Sequence, residues 1–299
     1  MAKNKKSKGI AMDASEKFVT VLSYIIMTIL AILAIAPCMH VISKAFSAGN
    51  YVISGQVGLL PKGFQLETVS YILFKTDFFQ ALKNSLIVTT LGTATAVFAS
   101  VTTAYPLSKS SFKGRKPITL LYVFSMVFFG GMVPAYMVVQ MLGLLDTYAG
   151  MILPYAIVQF NMFIVKNYFE GLPETIEESA RIDGAGDLTI LTKIVMPMST
   201  PVIATVTLLY AITYWNNYFH AMMYTQSPDM QTLQVYLYNL ISGGNAFLEN
   251  LAGGSMTSNI TSDGMTASAV TLSIIPIIAL YPFIQRFLIK GITIGSVKG

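Results

Sequence analysis

Six runs of about twenty apolar residues, none containing an Asp, Glu, Lys or Arg, constrain this chain more than any other feature. They cover residues 18–42, 85–107, 118–142, 147–165, 202–224 and 267–285. A bilayer core has no water for backbone amides, so segments of this length and polarity cross as helices that satisfy their own hydrogen bonds. Composition agrees: 54% of the 299 residues are hydrophobic and only 11% are charged, against roughly 25% charged in soluble domains. A water-soluble fold of this length has no interior large enough to hide that surface. The expected fold class is an all-α membrane protein with six transmembrane helices. The first run is too long for a cleavable signal, and no small-x-small site leads from it into a mature domain.

The formal net charge of +5 makes no nucleic-acid patch, because the basic residues lie between apolar runs. With a cytoplasmic N-terminus, the inner segments hold fifteen Lys and Arg, among them Lys17, Lys109, Lys113, Arg115, Lys166, Arg181 and Arg286. The outer segments hold Lys44, Lys62, Lys75 and Lys83. That bias predicts that both termini face the cytoplasm. The expected organisation is a cytoplasmic N-terminus at 1–17, a first span at 18–42, an outer loop at 43–78, a core at 79–286 and a cytoplasmic tail at 287–299. A second outer loop at 226–266 has no Lys or Arg and is rich in Gly, Ser, Thr and Asn. Within the runs only His40 and His220 titrate near neutral pH. Missing intramembrane charge counts against a proton-driven carrier, while a sodium-coupled one using backbone carbonyls stays open.

Chemistry-bearing patterns are absent. There is no Gly-rich phosphate loop, no metal-ligand spacing and no nucleophile–base arrangement, and Cys38 is the lone cysteine. No cofactor and no enzymatic activity are expected in this chain.

The inner loop between the fourth and fifth runs is unusually structured for a connector. Pro173 with Glu174, Glu177 and Glu178 fits a helix start, since a fixed φ and early carboxylates suit that end. Gly184 after Asp183 fits a helix stop through a left-handed backbone. Asp187 is expected to cap a second short helix. That helix would carry Leu188, Leu191 and Val195 on one exposed stripe before Pro197 interrupts it. Such a pair of helices could lie on the bilayer surface or dock a partner. The acidic first half favours docking, because an anionic leaflet would repel it.

These residues resemble a known family. Glu178-Ser179-Ala180-Arg181-Ile182-Asp183-Gly184-Ala185, followed after eleven residues by Pro197, is similar to the "EAA" coupling loop of binding-protein-dependent ABC importer permeases, here at 170–197. Ser179 stands where that family usually has alanine. Residues 79–90 and 104–116 resemble the start of the permease core and its next inner loop, and 134–154 the junction of the third and fourth spans in sugar permeases. Trp215-Asn216 matches a pair common in the fifth span. The ending from Gln285 to Gly299 resembles the MalG-like half of the maltose permease pair. The long Gly-rich outer loop looks more like the subgroup serving larger or less usual oligosaccharides.

The resemblance implies a type I ABC importer permease in a bacterial cytoplasmic membrane, moving a sugar or oligosaccharide by alternating access. It implies a second homologous permease, two ABC ATPase subunits that carry ATP and Mg, and an extracellular solute-binding protein as partners. Glu178, Ala180, Asp183, Gly184, Ala185, Leu188, Leu191 and Pro197 would then couple to the ATPase. Gly295, Lys298 and Gly299 of the tail would reach the ATPase interface. An amino-acid or peptide importer permease, or a carrier without ATPase, remains an alternative. Tyr214, Trp215, Asn216, Asn217, Tyr218 and His220 could line a sugar path, since aromatics stack on sugar faces and amides match hydroxyls. They could equally form an interfacial aromatic belt with helix-packing amides.

Overall fold

A computed structural model describes residues 13–243 and 260–296. In chain order the helices are α1 (Ala14–Ala45), α2 (Gly49–Ile53), α3 (Glu67–Lys75), α4 (Phe78–Ser108), α5 (Arg115–Val127), α6 (Met132–Met141), α7 (Tyr148–Ile152), α8 (Gln159–Glu170), α9 (Glu174–Ile182), α10 (Asp187–Ile190), α11 (Met196–Met198), α12 (Thr200–Asn216), α13 (Phe219–Tyr224), α14 (Leu233–Ser242) and α15 (Ser262–Ser296). Among the described residues there is no strand. Three helices are long and apolar enough to cross a membrane, and six crossings result if each of three bent pairs is one span.

Two compact units make up the chain. One comprises Met1–Val69 and Met256–Thr271, the other Ser70–Ser255 and Leu272–Gly299. In the first, the loop after α1 folds back through Ser43 Oγ, which donates to the Leu59 carbonyl at 2.7 Å. Ser47 Oγ there accepts from the Lys62 amide at 3.0 Å. Phe46 stacks on Phe64, and Ser268 at the start of α15 donates to the Ala45 carbonyl. None of the apolar window of α1 is buried within the chain, which suits a helix whose side chains meet lipid.

In the second unit α4 packs against α12 and α8. Gly92, Ala96, Ser100 and Ala104 recur every fourth residue along α4 and are all buried. This small-residue ridge lets α12 approach closely. A Cβ on Gly92 would lie 2.7 Å from the Tyr214 ring. The core continues through Met162, Val165 and Phe169 of α8 and Val206 and Tyr210 of α12.

Several expected spans differ from the observed helices. The third run is not one straight span: α5 and α6 diverge by 116°. Phe128 is extended there, and Gly131 takes φ +93°, which a side chain resists. The fourth run bends by 51° between Tyr155 and Gln159, just after Pro154. Backbone groups freed at that break still need partners. Tyr210 supplies one, its hydroxyl accepting from the Val158 amide at 3.0 Å while also bonding Ser100 Oγ at 2.7 Å. Tyr214, one turn further, donates its hydroxyl to the Ile152 carbonyl at 2.9 Å. The fifth run breaks at Asn217, whose backbone is extended between α12 and α13. The sixth run lies inside a longer helix, α15, which continues past 285.

Candidate functional site

Residues 170–197 form a sharp two-helix elbow. Pro173 precedes the first residue of α9, and Glu174 and Glu177 occupy its first turn, where carboxylates suit the helix end. Gly184 ends α9 with φ +85°. Its amide bonds the Arg181 carbonyl at 3.0 Å, and the Ala185 amide bonds the Ala180 carbonyl at 2.9 Å. This nested pair of hydrogen bonds is a Schellman stop, which needs a left-handed residue at the glycine position. Ala180 and Ala185 pack against the core on either side of the turn. Asp183 is the last residue before the glycine and is exposed.

Two expectations about the second helix need correction. Asp187 does not cap it: the capping position is Gly186, and Asp187 is the first helical residue. Its carboxylate instead accepts from the Arg181 guanidinium at 2.7 Å, tying α10 back to α9. Nor do Leu188, Leu191 and Val195 form one exposed stripe. Leu191 and Val195 are buried with Ile190 in the core, whereas Leu188 is 74% exposed. The core takes the face that carries Ile190, Leu191 and Val195, and Leu188, on the first turn of α10, falls outside it; a five-residue π turn follows at Leu191–Val195 before Pro197. The apolar groups displayed at the elbow are Leu188 and Ile182, the latter 86% exposed. Glu178 is exposed beside them, and Pro197 is exposed in α11.

The elbow is anchored where sequence alone gave no warning. Glu177 is only 7% exposed. Its carboxylate pairs with Lys109, just past the end of α4. The Lys109 ammonium also sits 5.0 Å from the centre of the Tyr105 ring. Beside this pair, Glu170 at the end of α8 pairs with Arg115 of α5 and with Lys166 at 2.7 Å. A cavity of about 510 Å³ opens between α4, the loop after it and the elbow, lined by Tyr105, Lys109, Phe112, Arg181, Asp187 and Leu188 among others.

The opposite end of this unit carries a second cluster. Asn84 of α4 donates to the Asp229 and Gln231 carbonyls at 2.7 and 2.9 Å and accepts from the Tyr148 hydroxyl at 2.8 Å. Ser85 Oγ accepts the Leu233 amide at 2.7 Å. Asp146, between α6 and α7, is the one non-glycine residue with positive φ among the described residues, at 58°. Its amide bonds the Tyr224 carbonyl at 2.8 Å. Its carboxylate accepts from the Ser227 hydroxyl and from the Gln226 and Ser227 amides. These donors, the Ser227 hydroxyl foremost, hold the Asp146 pKa below the ordinary carboxylate value.

A carboxyl lowered in the folded state stabilises it fully above the unfolded pKa and loses that effect as pH falls through the folded pKa. Asn tolerates the same left-handed backbone, so Asp146→Asn keeps the turn while removing the charge and one of the two acceptor oxygens. The melting temperature of detergent-solubilised Asp146→Asn is expected to lie below wild type by a constant margin from about pH 8 to 5, narrowing below about pH 4. A margin that changes between pH 8 and 5 would assign the effect to another group.

The aromatic–amide cluster of α12 and α13 is not one lining. Tyr214 and Trp215 are buried, and the Trp215 indole N–H finds no acceptor among the described residues. Asn216 is exposed, its amide donating to the Ile212 carbonyl at 3.0 Å. Asn217 Oδ1 accepts from the His220 amide, and His220 packs edge-on to Tyr155 at 4.6 Å. Tyr218 is 41% exposed and stacks on Tyr238 of α14 at 5.3 Å. Gly295 lies in the last turns of α15. Lys298 and Gly299 lie outside the described residues, as do residues 1–12 of the expected N-terminal segment and 244–259 of the second loop.

The chain resembles known proteins along most of its length. It is 41% identical over 282 residues, 93% of this chain and 97% of the relative, to the polygalacturonan/rhamnogalacturonan transport system permease protein YtcP of Bacillus subtilis (strain 168). It is 30% identical over 280 residues, 90% of this chain and 93% of the relative, to the arabinooligosaccharides transport system permease protein AraQ of Halalkalibacterium halodurans. Its fold superimposes with a TM-score of 0.87, at 33% identity and covering 93% of this chain and 99% of the other, on a chain of a bacterial ABC transporter involved in the import of the acidic polysaccharide alginate. The family model for the binding-protein-dependent transport system inner membrane component matches residues 10–294, and the chain belongs to that family.

Proposed function

We propose that this chain is one permease subunit of an ATP-driven importer for oligosaccharides, with six passes and both termini in the cytoplasm. A second permease of the same family completes the pathway, two ATPase subunits bind and hydrolyse ATP with Mg, and an extracellular binding protein delivers the sugar. ATPase closure moves the elbow, and the elbow moves α4, α8 and α12 to switch access from one side to the other. The positive-inside bias supports the orientation. The sugar class rests on relatives whose names specify polygalacturonan/rhamnogalacturonan, arabinooligosaccharides and the acidic polysaccharide alginate.

The observation that carries this reading is the elbow tip. Ile182 and Leu188 stand in the open on either side of Gly184, while Ile190, Leu191 and Val195 beneath them are locked into the core. Exposed apolar side chains on a rigid scaffold mark a docking surface for another protein. Glu178 would make a polar contact there, and the tail at Gly295, Lys298 and Gly299 would join the ATPase interface. On the opposite side Asn216, Asn217 and Tyr218 are the members of the aromatic cluster with side chains available to a passing sugar, and Tyr214 and Trp215 shape the helix behind them.

The test is a tagged purification from native membranes in mild detergent. An ABC ATPase and a second permease are expected to co-purify. The assembly is overturned if the chain comes through alone or as a homo-oligomer, with no ATPase even after crosslinking.

A further inference from the structure

We infer that Lys109 and Glu177 form a rigid strut that carries motion of the elbow directly into α4, so that α9 and the end of α4 move as one body during transport. This rests on the proposed coupling of the elbow to an ATPase, and adds the route by which the push reaches the membrane helices.

Along the chain, α9 is connected only to α8 and α10. With glycines at 171, 184 and 186 and the small side chains of Ala180 and Ala185 packing its end on the core, α9 keeps some freedom to tilt against α4. The ion pair closes that freedom. Its two members stand 68 residues apart. The Glu177 side chain is 10% exposed and that of Lys109 20%. A pair this shielded from water resists separation far more than an exposed one, because parting strands a charge without solvent. Lys109 follows directly on the last turn of α4, so its ammonium pulls on the backbone of that helix. The adjoining contacts stiffen the joint: Tyr105 of α4 meets Phe169 of α8 edge-on at 6.4 Å, and Lys109 lies over the Tyr105 ring. Arg115 and Lys166 converge on Glu170 and fasten α5 to α8. Arg181–Asp187, by contrast, is largely exposed and joins α9 to α10. Lys109 and Glu177 are therefore positioning residues that touch neither sugar nor nucleotide.

The test uses the full importer complex in proteoliposomes, with Cys38→Ala as background and the pair Lys109→Cys with Glu177→Cys. Three quantities are read: ATPase subunit retained per permease, ATP hydrolysis with and without binding protein and sugar, and sugar uptake. Without crosslinker, the ATPase subunit is expected to stay bound while uptake per ATP falls by roughly two- to thirty-fold, the span of coupling energies between packed elements. Joining the two thiols with a short bismaleimide is expected to restore uptake per ATP toward wild type. A merely structural contact would change yield and not this ratio. The strut is overturned if the uncrosslinked variant transports with the wild-type ratio, or if the crosslink leaves uptake impaired or blocks it. Lack of any bound ATPase in the Cys38→Ala parent would instead overturn the importer assignment, so the two failures are separable.

Discussion

Replacing Gly184 with proline is expected to abolish transport while the chain still inserts in the membrane. The backbone there has φ +85°, and proline is confined near −65°. Proline also lacks the amide that bonds the Arg181 carbonyl. The Schellman stop therefore cannot form, and α9 leaves the turn in a different direction. Ile182 and Leu188, whose separation depends on that turn, no longer present one surface. The cause is conformational rather than steric, because a Cβ on Gly184 meets nothing within 4 Å. A graded series follows. Asn, which enters the left-handed region readily, should transport within a few-fold of wild type, and Ala should fall between, given a cost of roughly 1–2 kcal/mol for a left-handed L-residue. Uptake in whole cells, normalised to membrane-inserted protein, measures the series. If Gly184→Pro transports normally, the elbow does not couple; if Asn fails as badly as Pro, the left-handed turn is not the reason.

The second large effect is expected at the opposite end of the same unit, at Gly150. An added Cβ would stand 2.2 Å from the Leu144 carbonyl oxygen and 3.2 Å from its carbon. Backbone cannot rotate aside as a side chain does. The loop is also held on both flanks: Thr147 accepts the Gly150 amide at 3.1 Å, and Asp146 is bonded to Tyr224, Gln226 and Ser227. Overpacking commonly costs about 1–3 kcal/mol, and a clash with fixed backbone belongs at or beyond the upper end. Gly150→Ala should therefore lose most monodisperse protein on extraction and melt well below wild type. Gly143→Ala is the control. It shares the loop and has φ +67°, but its Cβ meets nothing within 4 Å, so only the milder backbone cost applies. Equal losses at the two positions would show that loop conformation, and not the Leu144 contact, governs this junction.

Residues 134–154 thus have a structural meaning that a resemblance could point to but not explain. Gly143, Asp146, Thr147 and Gly150 build a tight corner that ties the third and fourth runs to the end of the fifth. Asn84 and Ser85 do the same for the loop before α14. Asn84 and Ser85 of α4 meet backbone carbonyls and an amide, and the helix begins at Phe78, ahead of the apolar run that starts at 85.

What the sequence determined by itself is what depends on neighbours along the chain. Hydropathy over twenty residues set the number of apolar runs, because the bilayer judges each segment by its own length and polarity. Pro173 and Gly184 placed the ends of α9, because their backbone preferences are local. The remainder was decided by packing. Lys109 finds Glu177 across 68 residues, Tyr210 meets the broken backbone at Val158 across 52, and Asp146 holds Gln226 across 80. Each of these side chains has an ordinary local reading, as an inner-loop cation, a span aromatic or a loop acid, and acquires its role only when a distant element brings the complementary group within 3 Å or so. The same holds for Leu188 and Leu191, equally apolar and three residues apart. The core takes Leu191 beside Ile190 and leaves Leu188 in the open, a choice that neither leucine makes by itself.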